Sequence, residues 1–253
     1  MVTNIHHVGI AVARLKRSYR FWRDTLGLPL AREAEVAEQG VRAALLAAGE
    51  SEIELLEPLS PETPIGRFLA KRGEGLHHVC FKTADVGADL AALRASSAPL
   101  LDDIPRRGLA GRVGFLHPKA CHGVLVELAT PEAGEAPPES PVRFKRLVIG
   151  SRVPNDTAKT YQDLFGLPEV EVNGGPRTML GWAGGGTLLI VPAAEVGGLE
   201  GMVALSMVAP DLPTLIQRLE KAQAALLLGA GELTVEPKSS HGVHLHISRY
   251  HFP

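Results

Sequence analysis

The segment Ile5-His6-His7-Val8 returns as Leu76-His77-His78-Val79, about 70 residues further along the chain. Glu54-Leu55-Leu56-Glu57-Pro58 returns in the same way as Glu127-Leu128-Ala129-Thr130-Pro131. The first half therefore holds two units, each with a His-His strand near its start and a Glu-Leu strand near its end. The second half repeats the scheme. Phe144-Lys145-Arg146-Leu147 begins a strand, Leu164-Phe165-Gly166-Leu167 closes a helix as Thr25-Leu26-Gly27-Leu28 does, and His241-Gly242-Val243-His244-Leu245-His246 matches His122-Gly123-Val124-Leu125-Val126-Glu127. Pro131, Pro137, Pro138 and Pro141 fall in a stretch with no large apolar residue, which makes a poor helix and a poor strand. The chain is expected to divide into a domain over 1–130, a linker over 131–141 and a second domain over 142–253.

Periodicity gives the content of each unit. Ile5 to Val12 is short, β-rich and alternating, so a strand is expected. Leu15, Tyr19, Trp22 and Leu26 fall at i, i+4, i+7 and i+11, an amphipathic helix that stops near Gly27. Strand-like runs follow at 41–47 and 51–57. The second unit repeats this with a strand at 77–83, a helix near 85–96 and strands at 112–117 and 123–128. In the second half, Asp211 to Ala222 reads as a further helix. The expected fold class is α+β: four βαβββ modules forming two cup-shaped half-barrels, not a doubly wound parallel sheet.

Composition narrows the function. Lys and Arg number 26 against 28 Asp and Glu, so the chain has no basic excess with which to hold nucleic acid. No apolar run approaches the roughly 20 residues that span a bilayer, and the start of the chain lacks the features of a secretory signal. Two cysteines, Cys80 and Cys121, cannot form a disulfide framework, and a cytoplasmic location is the expectation.

Side chains on a strand alternate faces, which puts His7 with Gly9 and Ala11, and Val8, Ile10 and Val12 on the other side. The same parity sets His78 opposite Val79, Glu54 opposite Ile53 and Leu55, and Glu127 opposite Val126 and Leu128. Two His and two Glu in mid-strand beside apolar neighbours are costly to bury without a partner. A divalent cation answers that cost, since imidazole suits Zn, Co, Ni or Fe and carboxylates suit harder ions. An isolated His in a strand is most often a hydrogen-bonded core or surface residue, and His6 and His77, expected on the opposite face, are read that way. The repeat sets the other four apart, because one internal symmetry relates them.

Ile5 to Val12, Ile53-Glu54-Leu55-Leu56-Glu57-Pro58, Gly75-Leu76-His77-His78-Val79, Phe115-Leu116-His117-Pro118-Lys119 and Gly123-Val124-Leu125-Val126-Glu127-Leu128 together resemble the methylmalonyl-CoA epimerase family. That family belongs to the vicinal-oxygen-chelate superfamily, with glyoxalase I and the extradiol dioxygenases. The resemblance covers about 1–130. It implies His7, Glu54, His78 and Glu127 as ligands of one divalent metal ion, with Co, Mn, Ni, Zn and Mg as candidates. It also implies proton transfer at the α-carbon of an acyl-CoA, a small-molecule partner. Some family members place a Glu base where this chain has Ala43. That departure leaves Glu127 as the catalytic candidate, with Glu38 as another. Arg106, Arg107 and Lys119 are candidates for meeting CoA phosphates.

In the second half the four positions read Arg146, Leu188, Ala204 and His246, a cup expected to keep its fold and lack a complete metal site. His241, His244, His246 and His251 do not make a new one on this reading. The two cups are expected to pack as a pseudo-dimer within the chain, with a homodimer also open. Three other readings compete with an epimerase: a glyoxalase-like isomerase, an extradiol dioxygenase, and a non-catalytic binder of the same superfamily. Glu54 and the N-terminal placement of the site argue against the dioxygenase. The four intact ligand positions argue against the binder.

Overall fold

Val8, Ile10, Ile53 and Leu55 alternate with His7, Gly9, Glu52 and Glu54, and the chain folds so that the apolar set is fully buried. The structure is a computed structural model and describes residues 2–132, 137–170, 177–182 and 185–249. Part of the expected linker (133–136) and His251 lie outside the described residues.

The first half forms β1 (Val2–Ala11), β2 (Leu30–Val36), β3 (Val41–Ala48), β4 (Ser51–Pro58), β5 (Gly75–Thr83), β6 (Arg106–Gly108), β7 (Gly111–Leu116) and β8 (Val126–Thr130). These pair in the order β2-β3-β4-β1-β5-β8-β7-β6. Each unit opens on a strand that pairs parallel with the unit's own last strand, β1 with β4 and β5 with β8. An antiparallel β1–β5 seam then joins the two units. The second half forms β9 (Arg143–Ser151), β10 (Glu169–Val170), β11 (Thr178–Trp182), β12 (Gly186–Pro192), β13 (Gly201–Val208), β14 (Leu226–Gly229), β15 (Glu232–Val235) and β16 (Leu245–Ser248). Their order, β10-β11-β12-β9-β13-β16-β15-β14, has the same topology, with β9–β13 as its seam.

Among the described residues five α-helices accompany the strands: α1 (Leu15–Tyr19), α2 (Pro64–Arg72), α3 (Val86–Ala95), α4 (Pro154–Phe165) and α5 (Leu212–Lys221). The first expected helix is split in character, because α1 runs on into a π-helical turn over Arg20–Thr25. The Leu26 amide donates to the Phe21 carbonyl, one residue wider than an α-turn. The wider turn brings Phe21 inward beside Trp22, and both are buried.

Among the register shifts of the β1–β5 seam, two fall at the His-His pairs, where strict alternation does not foresee them. Ile5 pairs with Phe81 and His7 with Cys80, leaving His6 as an extra residue; Gly9 pairs with His78 and Ile10 with Leu76, leaving His77 as the other. Lys145 and Val203 are the corresponding extra residues of the second seam.

The faces turned away from the cups meet in one apolar core, in which Val8, Ile10 and Leu55 join Leu147, Ile149 and Ile190. Phe81 stacks on Phe165 at 5.1 Å, and the Ile5 amide donates to the Gly185 carbonyl at 3.0 Å. At the rim, Arg218 Nη2 donates to the Asp24 carbonyl at 2.8 Å, and His241 Nδ1 lies 2.8 Å from Glu74 Oε2. The two cups therefore pack within one chain, as expected for a pseudo-dimer. No helix among the described residues is long and apolar enough to cross a membrane.

Candidate metal centre

Four neighbouring strands of the first sheet each bring one polar side chain to the same point. His7 comes from β1, Glu54 from β4, His78 from β5 and Glu127 from β8, and one ligand atom of each lies within 4.8 Å of the others. The register explains the convergence: Gly9 pairs laterally with both Glu54 and His78, and Cys80 pairs with both His7 and Glu127. Gly9 leaves room for the His78 ring, since a Cβ there would stand 2.2 Å from His78 Cε1.

His7 Nε2 and His78 Nε2 are 3.0 Å apart, and both face Glu127 Oε2, at 2.9 and 3.1 Å. Glu54 Oε2 stands 3.5 Å from the first nitrogen and 3.4 Å from the second. All four residues are buried, with exposures of 0, 6, 2 and 4% for His7, Glu54, His78 and Glu127, so water cannot neutralise the two carboxylates. Burial, and then the charge of Glu127, push the Glu54 carboxyl well above the usual range. Burial also works to raise Glu127, but hydrogen bonds from His7 and His78 outweigh it and hold that carboxyl below its usual range. Burial depresses the His7 imidazole. Two imidazoles beside two carboxylates are a donor set suited to a divalent cation, and separations of 2.9–3.5 Å are the donor–donor edges around an ion bonded at about 2.1 Å. The residues fit a divalent metal ion.

The bulges correct the placement of His6 and His77. Both lie on the cup side, not on the face opposite the ligands. His6 Nδ1 is 2.9 Å from His7 Nδ1, and His77 Nδ1 is 3.1 Å from His78 Nδ1. Burial lowers each of these outer imidazoles to about 3. Cys80 is fully buried alongside, its thiol raised by burial and by the neighbouring carboxylates.

A cavity of about 400 Å³ adjoins the cluster, walled by His77, His78, Phe115, Leu56, Ile65 and Leu125, with Glu38 and Arg106 among its polar lining. Arg106 lies over the Phe115 ring at 5.3 Å and donates to Asp102 at 3.2 Å. Ala43 is buried with Ala11, Val41, Leu45, Leu56, Ile65 and Leu109, so the place of the family's Glu is part of an apolar wall. Arg107 and Lys119 are exposed and do not line this cavity.

In the second cup, register places Arg146 opposite Thr187 and Val148 opposite Leu189 and Ala204, while Ser206 pairs with His246. The counterparts of His7, His78 and Glu127 are thus Arg146, Ala204 and His246, as expected. The counterpart of Glu54 is Leu189 and not Leu188, which faces the core. No cluster of metal-binding type occurs in this half among the described residues. Of its histidines, His246 lies in β16 and His241 in a preceding turn facing Glu74.

A family model described as glyoxalase/bleomycin resistance protein/dioxygenase superfamily matches residues 6–115. The mitochondrial methylmalonyl-CoA epimerase of Mus musculus is 38% identical over 126 residues, which cover 49% of this chain and 71% of that one. The uncharacterized protein YqjC of Bacillus subtilis (strain 168) is 37% identical over 135 residues, 53% of this chain and 96% of its own. A solved Streptomyces coelicolor methylmalonyl-CoA epimerase variant in complex with 2-nitronate-propionyl-CoA is 45% identical, covers 53% of this chain and 100% of its own, and superposes with a TM-score of 0.51. A variant of 4-hydroxymandelate synthase from the same organism, 16% identical, covers 97% of this chain and 92% of its own with a TM-score of 0.70, which shows the same fold through both halves.

Proposed function

The chain belongs to the glyoxalase/bleomycin resistance protein/dioxygenase superfamily, its first half related to methylmalonyl-CoA epimerases, and on that basis we propose that this half is a metal-dependent epimerase acting on an acyl-CoA, with methylmalonyl-CoA as the substrate. The observation that carries the reading is the buried convergence of His7, Glu54, His78 and Glu127 beside a cavity of about 400 Å³. We assign these four as the ligands, 1–130 as the working domain, and 142–253 as a structural copy joined by the linker 131–141. A cytoplasmic location accords with this role.

An α-proton between a thioester and a carboxylate is weakly acidic, because its loss leaves charge on the thioester carbonyl. His7, Glu54, His78 and Glu127 would hold a divalent cation, and its positive charge would stabilise that developing charge. The cavity's apolar wall excludes water and orients the acyl group. A carboxylate takes the proton from C2 as the electron pair moves into the carbonyl, and return of a proton to the opposite face completes the inversion. Glu127 is assigned to this transfer. Glu38, at the cavity wall and exposed, is the second carboxylate in reach of that space. Arg106, in the same lining, is placed to meet an anionic group of the substrate.

The apolar surroundings of Ala43 favour one second reading, a non-catalytic binder. Deuterium exchange at C2 of methylmalonyl-CoA in D₂O, together with the metal content of the purified protein, decides between them. The metal-loaded protein is expected to exchange C2, and a His78→Ala variant to lose both metal and at least 100-fold in exchange rate. A metal-loaded protein with no exchange would leave the binder. Metal and exchange retained in His78→Ala would overturn the ligand set.

A further inference from the structure

The bulges at His6 and His77 in the β1–β5 seam do the same thing twice. A bulge adds one residue to one strand, so two consecutive side chains can share a face. Here each puts the first histidine of a His-His pair beside the second, nitrogen edge toward nitrogen edge with the ring planes nearly perpendicular: His6 and His7 at 5.1 Å between centroids and 85°, His77 and His78 at 5.4 Å and 88°. In each pair the near atoms are the two Nδ1 nitrogens. The far nitrogens of His7 and His78, both Nε2, are those that face the carboxylates.

We propose that His6 and His77 are positioning residues that fix the tautomer of the two histidine ligands through a paired Nδ1···Nδ1 contact. The assignment rests on the metal reading above and goes beyond it. An imidazole that offers its Nε2 lone pair to a cation carries its proton on Nδ1. In His7 that proton has one close acceptor, His6 Nδ1 at 2.9 Å, and in His78 it has His77 Nδ1 at 3.1 Å. The outer ring accepts at Nδ1 and therefore carries its own proton on Nε2. Glu52 Oε2 stands 3.6 Å from His6 Nδ1, beyond hydrogen-bond reach, and so does not displace the His–His contact. Outer partners of this kind hold a ligand ring in one orientation, and their loss typically weakens metal binding 10- to 100-fold. In the second cup the bulged residues are Lys145 and Val203, neither of which can accept a hydrogen bond through its side chain. The outer pair is absent where the ligand histidines are absent.

Two substitutions at each position separate acceptance from bulk. His6→Phe and His77→Phe keep a ring and remove the acceptor. His6→Asn and His77→Asn restore an acceptor at the Nδ1 position, because Asn Oδ1 is the same number of bonds from Cβ. The probe is Co²⁺ alone on the full chain, with its dissociation constant read by chelator competition and the proton spectrum of the Co²⁺-loaded protein read for exchangeable, paramagnetically shifted imidazole N–H signals. Two such signals are expected in the unsubstituted protein. Each Phe variant is expected to bind Co²⁺ 10- to 100-fold more weakly and to lose one signal or expose it to fast solvent exchange. Each Asn variant is expected to recover to within about threefold of the unsubstituted protein, since it restores the acceptor. Phe variants that bind within twofold with both signals intact, or Asn variants as weak as Phe, would overturn the assignment. Failure of the unsubstituted protein to bind Co²⁺ would overturn the metal reading instead. The two positions are separate arms, so a variant that does not fold at one leaves the other to decide.

Discussion

At Gly9 the volume a side chain would fill is taken by the His78 ring. A methyl group there would stand within 2.2–2.8 Å of three ring atoms, a separation that real Cβ contacts essentially never show. Gly9→Ala must therefore move the imidazole away from His7 and Glu127. The expected outcome is at least a tenfold loss of metal affinity by chelator competition, with a stability cost of about 1–3 kcal/mol from overpacking. A variant that binds metal as tightly as the parent would show that the ring can be held from another direction. Glu54 and Glu127 are distinguished at the same scale. Both are buried carboxylates at one point, but Glu127 sits in hydrogen-bond contact with both imidazoles, whereas Glu54 stands at the edge of reach of each.

Among the elements, α3 shows a start written in the sequence. Asp85 Oδ1 accepts from the Gly87 and Ala88 amides at 2.9 and 3.0 Å, and Asp85→Ala is expected to lower stability by about 1 kcal/mol in denaturant titration without changing metal affinity. How much of the site could be read in advance differs element by element, for physical reasons. The convergence of His7, Glu54, His78 and Glu127 was legible because strand parity is strict wherever the opposite face is buried, and Val8, Ile53, Val79 and Val126 make it so. His6 and His77 were misplaced because a bulge is a backbone event that leaves no residue-type signature. Phe21 was missed for a like reason, since a π-turn shifts the helical phase by one residue. β2 escaped notice because its side chains are almost all exposed, so no apolar alternation marks it. α2 could have been found: Thr63 accepts from the Gly66 amide and Pro64 takes the first helical position. Leu188 stands as far before Pro192 as Glu54 does before Pro58, but the second strand reaches its proline one residue sooner, so the register puts Leu189 at the site position instead.

For the whole molecule, Glu74 ties the halves at the rim. It accepts from the Ala13 amide at 2.7 Å and faces His241 at 2.8 Å, and the His241 contact, outweighing partial burial, holds its carboxyl below the ordinary 4.5 with help from Ala13 and Arg17. A carboxyl depressed in the folded state contributes stability that is present above its unfolded value and lost as pH falls through the folded one. Glu74→Gln is thus expected to cost roughly 1–2 kcal/mol in denaturant titrations near neutrality. The difference from the parent should shrink to nothing as pH drops below the ordinary glutamate range. A gap that persists unchanged in acid would show that packing, not charge, makes the tie.

The shared core has a further consequence. Two identical subunits related by a two-fold axis must receive every substitution twice, so neither cup can change alone. In this chain the cups keep the same strand order and the same pair of bulged seams, yet a covalent link makes each position separately mutable. Arg146 can stand in one cup at the position that His7 keeps in the other. Joining the halves end to end releases the site from the symmetry of its own fold, and the second copy is free to drift so long as Leu147, Ile149 and Ile190 still fill the common interior.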